Sequence, residues 1–140
     1  MTETIDIEDF SRDTDAISAG RWIGDIPNCG PMRLKVRGTK SPEFEDALNA
    51  RYRALPMSAR DSSGSVPQRV IRQCEREAAA DVLLLDWDGL SSKGAPVAYT
   101  KTIAKSFINN PSGLFFAAVM YAAQRVDETR AAEEEAITGN

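Results

Sequence analysis

The residues best placed to do chemistry are Asp86 and Asp88, two carboxylates that flank Trp87 at the end of the apolar run Val82-Leu83-Leu84-Leu85. An apolar strand with two hard oxygen ligands at its tip could hold a magnesium ion, with one carboxylate as nucleophile and the other as acid/base. Asp86 and Asp88 suit a helix stop and a turn equally well, because aspartate tolerates turn conformations and accepts backbone N–H bonds. Trp87 is then a core anchor or an interface anchor. Other chemistry is thin. The chain has no histidine, which removes the commonest general base, the commonest metal ligand and the usual activator of serine or cysteine nucleophiles. Cys29 and Cys74 stand alone without CxxC spacing and read as two reduced thiols.

The stretch Val82 to Leu90 resembles the nucleophile strand of haloacid-dehalogenase-like phosphatases, which implies a magnesium-dependent phosphatase using Asp86 and Asp88. Its surroundings do not fit. No later acidic pair follows an apolar strand, and no alternation of strands and helices surrounds it. Short motifs of this kind arise often by chance, so the phosphatase is the distant alternative.

The elements that would position these residues belong to one ordinary domain. A chain of 140 residues, 42% hydrophobic and 27% charged, can fold without disulfide or metal. A net charge of −4 argues against nucleic acid, which requires a basic face. Met1 to Phe10 is acidic and lacks the apolar segment of a signal peptide. The longest apolar run, Leu114 to Ala123, is about half of what a bilayer span needs. The expectation is a soluble intracellular protein that binds neither nucleic acid nor membrane and needs no cofactor.

Along the chain, residues 1–19 form an acidic, partly flexible segment with a short helix near Asp13 to Ala19 that Gly20 breaks. Residues 20–127 form the globular domain, and residues 128–140 a polar helix end and C-terminal tail. Arg21-Trp22-Ile23 and Met32 to Arg37 read as two strands of a hairpin. Met32, Leu34 and Val36 alternate with Arg33, Lys35 and Arg37, giving one buried and one basic, solvated face. Ser41-Pro42 starts a helix that Pro56 ends. Asp61 to Ser65 reads as an exposed loop. Pro67 to Leu85 reads as one long helix with Cys74, Ala78, Val82 and Leu85 on its buried stripe. Thr100 caps a third helix, and Ser112 opens a fourth that runs to about Ala136. The expected fold is therefore mainly α, about four helices with a small N-terminal β-hairpin.

The first half of the last helix is apolar nearly all round. Leu114, Phe115, Phe116, Val119, Met120 and Tyr121 exceed what one core-facing side needs. They are the candidate partner-binding residues, with Trp87, and they point to self-association or to a protein partner.

Three blocks in order, Gly20-Arg21-Trp22-Ile23 leading into Met32 to Gly38, then Ser41-Pro42 with its helix, then Leu84 to Leu90 with Pro96-Val97-Ala98-Tyr99-Thr100, resemble the tail assembly chaperones of long-tailed bacteriophages and prophages. The likeness spans roughly Gly20 to Asp127. It implies a mainly helical protein of the bacterial host cytoplasm, without enzymatic activity. Such a protein coats the tape measure protein, keeps it soluble, helps recruit tail tube subunits and is left out of the mature virion. It also implies that a longer, frameshifted form can exist, for which Glu133-Glu134-Glu135 would be a natural junction. A small structural virion protein, of the tail or the head–tail joint, is the alternative.

Overall fold

Leu34, Val36, Leu84 and Trp87 are buried on one face of a three-stranded antiparallel sheet, and the rest of the chain is arranged around them. The computed structural model describes residues 3–130. Five α-helices occur among them: α1 (Thr14–Ala19), α2 (Pro42–Ala54), α3 (Gln68–Ala78), α4 (Lys101–Ile108) and α5 (Leu114–Asp127). Strands β1 (Arg21–Ile23), β2 (Arg33–Val36) and β3 (Leu84–Asp88) lie in the order β1-β2-β3, while β4 (Ser91–Ser92) and β5 (Ala95–Pro96) make a second, two-stranded sheet. The expected mainly α fold, about four helices with a small N-terminal hairpin, is thereby overturned. The chain carries five helices and two antiparallel sheets, with the strands in mid-chain, among the described residues.

The physical reason lies between Ala79 and Asp88. α3 does not run on to Leu85. It widens into a π turn, Ala79–Leu83, and the chain then extends as β3. Ala79, Ala80 and Leu83 are all buried, so the wider turn fills space against α2 and α4. A helix end strands its last carbonyls. Here Arg37 meets them: its N–H donates to Leu83 O at 2.9 Å and its Nη1 to Val82 O at 2.6 Å. Its Nε donates to Ser18 O at 2.7 Å, joining α1 to the same point. Arg37, expected on a solvated strand face, is instead a half-buried clasp.

β3 pairs with β2 through Arg33↔Asp88, Leu34↔Trp87 and Lys35↔Asp86, then slips so that Val36 faces Leu84. The slip makes Leu85 an extra residue, a β-bulge. Without it Leu84 and Trp87, three apart, would point to opposite faces. With it both enter the core.

α2 begins at Ser41, whose side chain accepts from Phe44 N–H, with Pro42 at the first helical position. α4 begins at Thr100, capped in the same way through Ile103 N–H. α5 packs across β1 and β2 and against α4 and α1. It ends at Asp127, short of the expected extent to Ala136; the end of that range and the tail from Ala131 onward lie outside the described residues.

Asp127 is 7% exposed. Its carboxylate accepts from Thr39 N–H at 3.1 Å, from the Thr39 hydroxyl and from Lys40 N–H at 2.9 Å. A carboxylate at a helix C-terminus opposes the helix dipole, so these bonds, not the helix, hold it there. They fix the turn between β2 and α2. Gly38 makes room for them, because a Cβ there would lie 2.7 Å from Ile17 Cγ2 and against the Asp127 carboxylate itself.

Asp127→Ala removes the acceptor of two backbone donors and is expected to lower the unfolding free energy by about 3 kcal/mol, read by urea denaturation. Asp127→Asn, which keeps one acceptor oxygen, should lose less. A change below about 1 kcal/mol for the alanine variant would show that the turn does not depend on this carboxylate.

Candidate partner-binding groove

Asp86 and Asp88 are committed to the sheet. Asp86 lies opposite Lys35 in the ladder and accepts from the N–H of Trp87 at 2.8 Å. Asp88 lies opposite Arg33 and pairs with it at 3.1 Å on the exposed surface. Opposite charges facing one another across strands suit an antiparallel pair, though an ion pair this exposed adds little stability. No group of three or more histidine, cysteine, aspartate or glutamate side chains that could hold a metal ion occurs among the described residues.

Trp87 lies at the centre of an aromatic cluster and is 6% exposed. Its ring meets Tyr99 edge-on at 5.0 Å, stacks on Phe107 at 5.6 Å and meets Phe115 edge-on at 6.0 Å, while Phe107 and Phe115 contact each other at 5.6 Å. Edge-to-face and offset arrangements are the favoured geometries for such rings. The indole N–H donates to Val97 O at 2.7 Å and the Tyr99 hydroxyl donates to Leu84 O at 3.2 Å. Both polar tips are satisfied internally, and together they hold the segment after β5 against β3. Burial pushes the Tyr99 phenol above its ordinary range, with Lys101 opposing.

The candidate residues of α5 divide by their angle around the helix. Val119 is fully buried, together with Ala118, Ala122, Ala123 and Val126. Phe115 turns to Trp87, and Phe116 lies under the Arg76 guanidinium, 5.5 Å from its ring centre. Met120 and Tyr121 are half-buried against the core. Leu114 alone projects, at 75% exposed. The structure therefore brings Leu114 and Tyr121 to one surface, leaves Trp87 and Val119 inside, and holds Phe115 half-buried against Trp87.

That surface is the wall of an open groove of about 340 Å³. Leu114, Ala117, Ala118 and Tyr121 of α5 form one side, and the loop Ile26, Pro27, Asn28 and Cys29 between β1 and β2 forms the other. The volume is at the lower end of what holds a small ligand or a few side chains of a partner. The loop residues escape a sequence reading because proline, asparagine and glycine mark a turn there. Ile26 and Cys29, apolar within that turn, are the only hint. In the fold Ile26 is buried, and Asn28 takes a positive φ of 63° within the turn. A wider depression between α1 and β1, about 640 Å³, is lined by Asp13, Asp15, Arg21 and Trp22 among others and is far more polar.

The electrostatics set the groove apart from the ionic surface. Asp81 gathers Lys101 at 3.1 Å and Arg51 at 3.4 Å, linking the π turn to α4 and α2. The Lys101 ammonium, and then Arg51, hold the Asp81 carboxyl below the usual range. Cys74 is buried in α3, and burial, with Glu77 next, pushes its thiol up. Cys29 is partly exposed, in the groove wall.

The fold is a small α+β domain with an open, largely apolar groove between α5 and the loop after β1. The sequence matches the YdaY prophage protein family over residues 39–140, and the chain belongs to that family. A phage or prophage protein is what the sequence resemblance implied; the tail-assembly role is a finer statement than this match carries. No curated protein and no solved structure gives a significant match to the chain.

Stability measurements separate the core from the groove. Trp87→Ala should cost about 4 kcal/mol, by loss of aromatic packing and of the Val97 bond. Leu114→Ser should change stability by less than about 0.5 kcal/mol. Comparable losses for the two variants would show that Leu114 belongs to the core.

Proposed function

We propose that this prophage protein is a tail assembly chaperone that binds the tape measure protein, keeps it soluble and helps recruit tail tube subunits. The observation that carries the proposal is the groove, where Leu114 stands exposed beside Ala117, Tyr121 and the Ile26–Cys29 loop. An amphipathic client helix is held by laying its apolar side chains into such a groove. Membership of a prophage family supports the setting, and the order of sequence blocks supports the role. Binding of this kind needs shape and apolar surface. The acidic and basic residues elsewhere on the domain keep the chaperone soluble while the client is covered. Its place of action is the host cytoplasm, and it leaves before the virion is complete.

Co-expression with the long, helix-rich tail protein of the same prophage tests the proposal. Affinity capture should yield a soluble complex with the wild-type chain. Leu114→Asp combined with Ala117→Asp, both at exposed positions, should reduce capture by at least about tenfold while leaving circular dichroism unchanged. Client that stays insoluble beside the wild-type chain, or full capture by the double variant, would contradict the proposal. Recovery of the chain from purified particles would identify it as a virion component instead.

A further inference from the structure

Three of the large apolar side chains that the fold leaves exposed fall in one short stretch: Ile5 is 63%, Ile7 75% and Phe10 68% exposed. Residues 7–10 form a 3₁₀ turn, started by the Asp6 carboxylate accepting from Glu8 N–H at 3.2 Å. In a 3₁₀ turn residues three apart eclipse, so Ile7 and Phe10 share one side. Glu3, Asp6, Glu8 and Asp9 make the same segment acidic. An ordered turn with an apolar side and acidic flanks is a ligand-like surface without a ligand's site in its own copy.

The segment is rooted at the far end of α5 from the groove. Asp13 N–H donates to Thr129 O at 2.9 Å, Arg12 bridges Arg130, and Asp9 and Phe10 lie beside Glu128. Leu114, at the groove, opens the helix that ends at Asp127, roughly 20 Å away along its axis. The charges are complementary. Arg125 lies one turn beyond Tyr121 along the same side of α5, is exposed in a neighbouring depression that it shares with Arg21 and Glu128, and forms no ion pair among the described residues.

We propose that in the free protein the groove of one copy receives the segment Ile5–Phe10 of a second copy, with Ile7 and Phe10 against Leu114 and Tyr121 and an acidic side chain of the segment facing Arg125. The donor and the acceptor are different surfaces of the same chain, so the contact is head-to-tail and propagates into a ring or an open row. Self-docking stands on these surfaces alone. A client that displaces the segment from the groove rests, in addition, on the chaperone function proposed above.

Two variants of the full chain and their mixture test this by light scattering over a concentration series. The wild-type chain is expected to grow with concentration beyond its 15.3 kDa monomer mass. Ile7→Asp with Phe10→Asp, which spoils the segment, and Leu114→Asp, which spoils the groove, should each weaken association by at least about tenfold. The equimolar mixture should recover one contact, an intact segment in an intact groove, and stop at a dimer. Wild-type chain that stays monomeric throughout, variants that associate like wild type, or a mixture that stays monomeric would each overturn the proposal. Client capture by the Ile7/Phe10 variant reports separately on the chaperone function. Loss of capture with the mixed dimer intact would sink that function and leave self-docking standing.

Discussion

One extra residue in β3 governs this domain. The bulge at Leu85 lets Leu84 and Trp87 enter the core together, and Trp87 then gathers Tyr99, Phe107 and Phe115 around its ring. Through those contacts β3, the segment before α4, α4 itself and the start of α5 are fixed relative to one another. Burial of the indole is strongly favourable only because its N–H finds Val97 O; an unmet donor there would offset much of the gain. The Asp127 carboxylate does the matching task at the other end of α5, where it holds the turn before α2. A helix pinned at both ends has one rotational setting.

That setting decides which side of α5 is available to other molecules. Val119, Ala122, Ala123 and Val126 are committed to the sheet. Small alanines allow the close approach, and the larger Phe115 fills the aromatic cluster. The remaining side, Leu114, Ala117 and Tyr121, faces the loop after β1 across an open space. An apolar groove of this kind is a consequence of rigid packing: the residues that form it cannot rotate inward to hide. The acidic turn at Ile7–Phe10 is another apolar surface that the packing leaves uncovered.

Local rules made much of this legible. Ser41-Pro42 and Thr100 start helices because a hydroxyl cap and a proline act within one turn, without help from the rest of the chain. The alternation of Met32, Leu34 and Val36 likewise marks a strand with one buried face. β3 was hidden because its buried residues, Leu84 and Trp87, are three apart, a helical spacing that a bulge reproduces in a strand. The π turn hid it further, since α3 hands directly to β3 with no proline or glycine between. Arg37 and Asp127 looked like surface charges because their partners, the stranded carbonyls of Val82 and Leu83 and the amides of Thr39 and Lys40, are distant in sequence. For the groove, the exposed residues of α5 were present among a larger apolar set, but only the fold shows that Trp87 and Val119 are inside and that Ile26 and Cys29 supply the opposite wall.

The two thiols offer the most direct test of the groove as a binding site, because Cys29 lies in its wall and Cys74 is a buried internal control. Alkylation rates of both would be measured in the Ile7→Asp/Phe10→Asp chain, whose groove no second copy fills, alone and saturated with a helical client segment. The account predicts that Cys29 slows by at least about tenfold on binding while Cys74 stays slow in both. A Cys29 rate unchanged by saturating client would place the contact elsewhere and contradict the account.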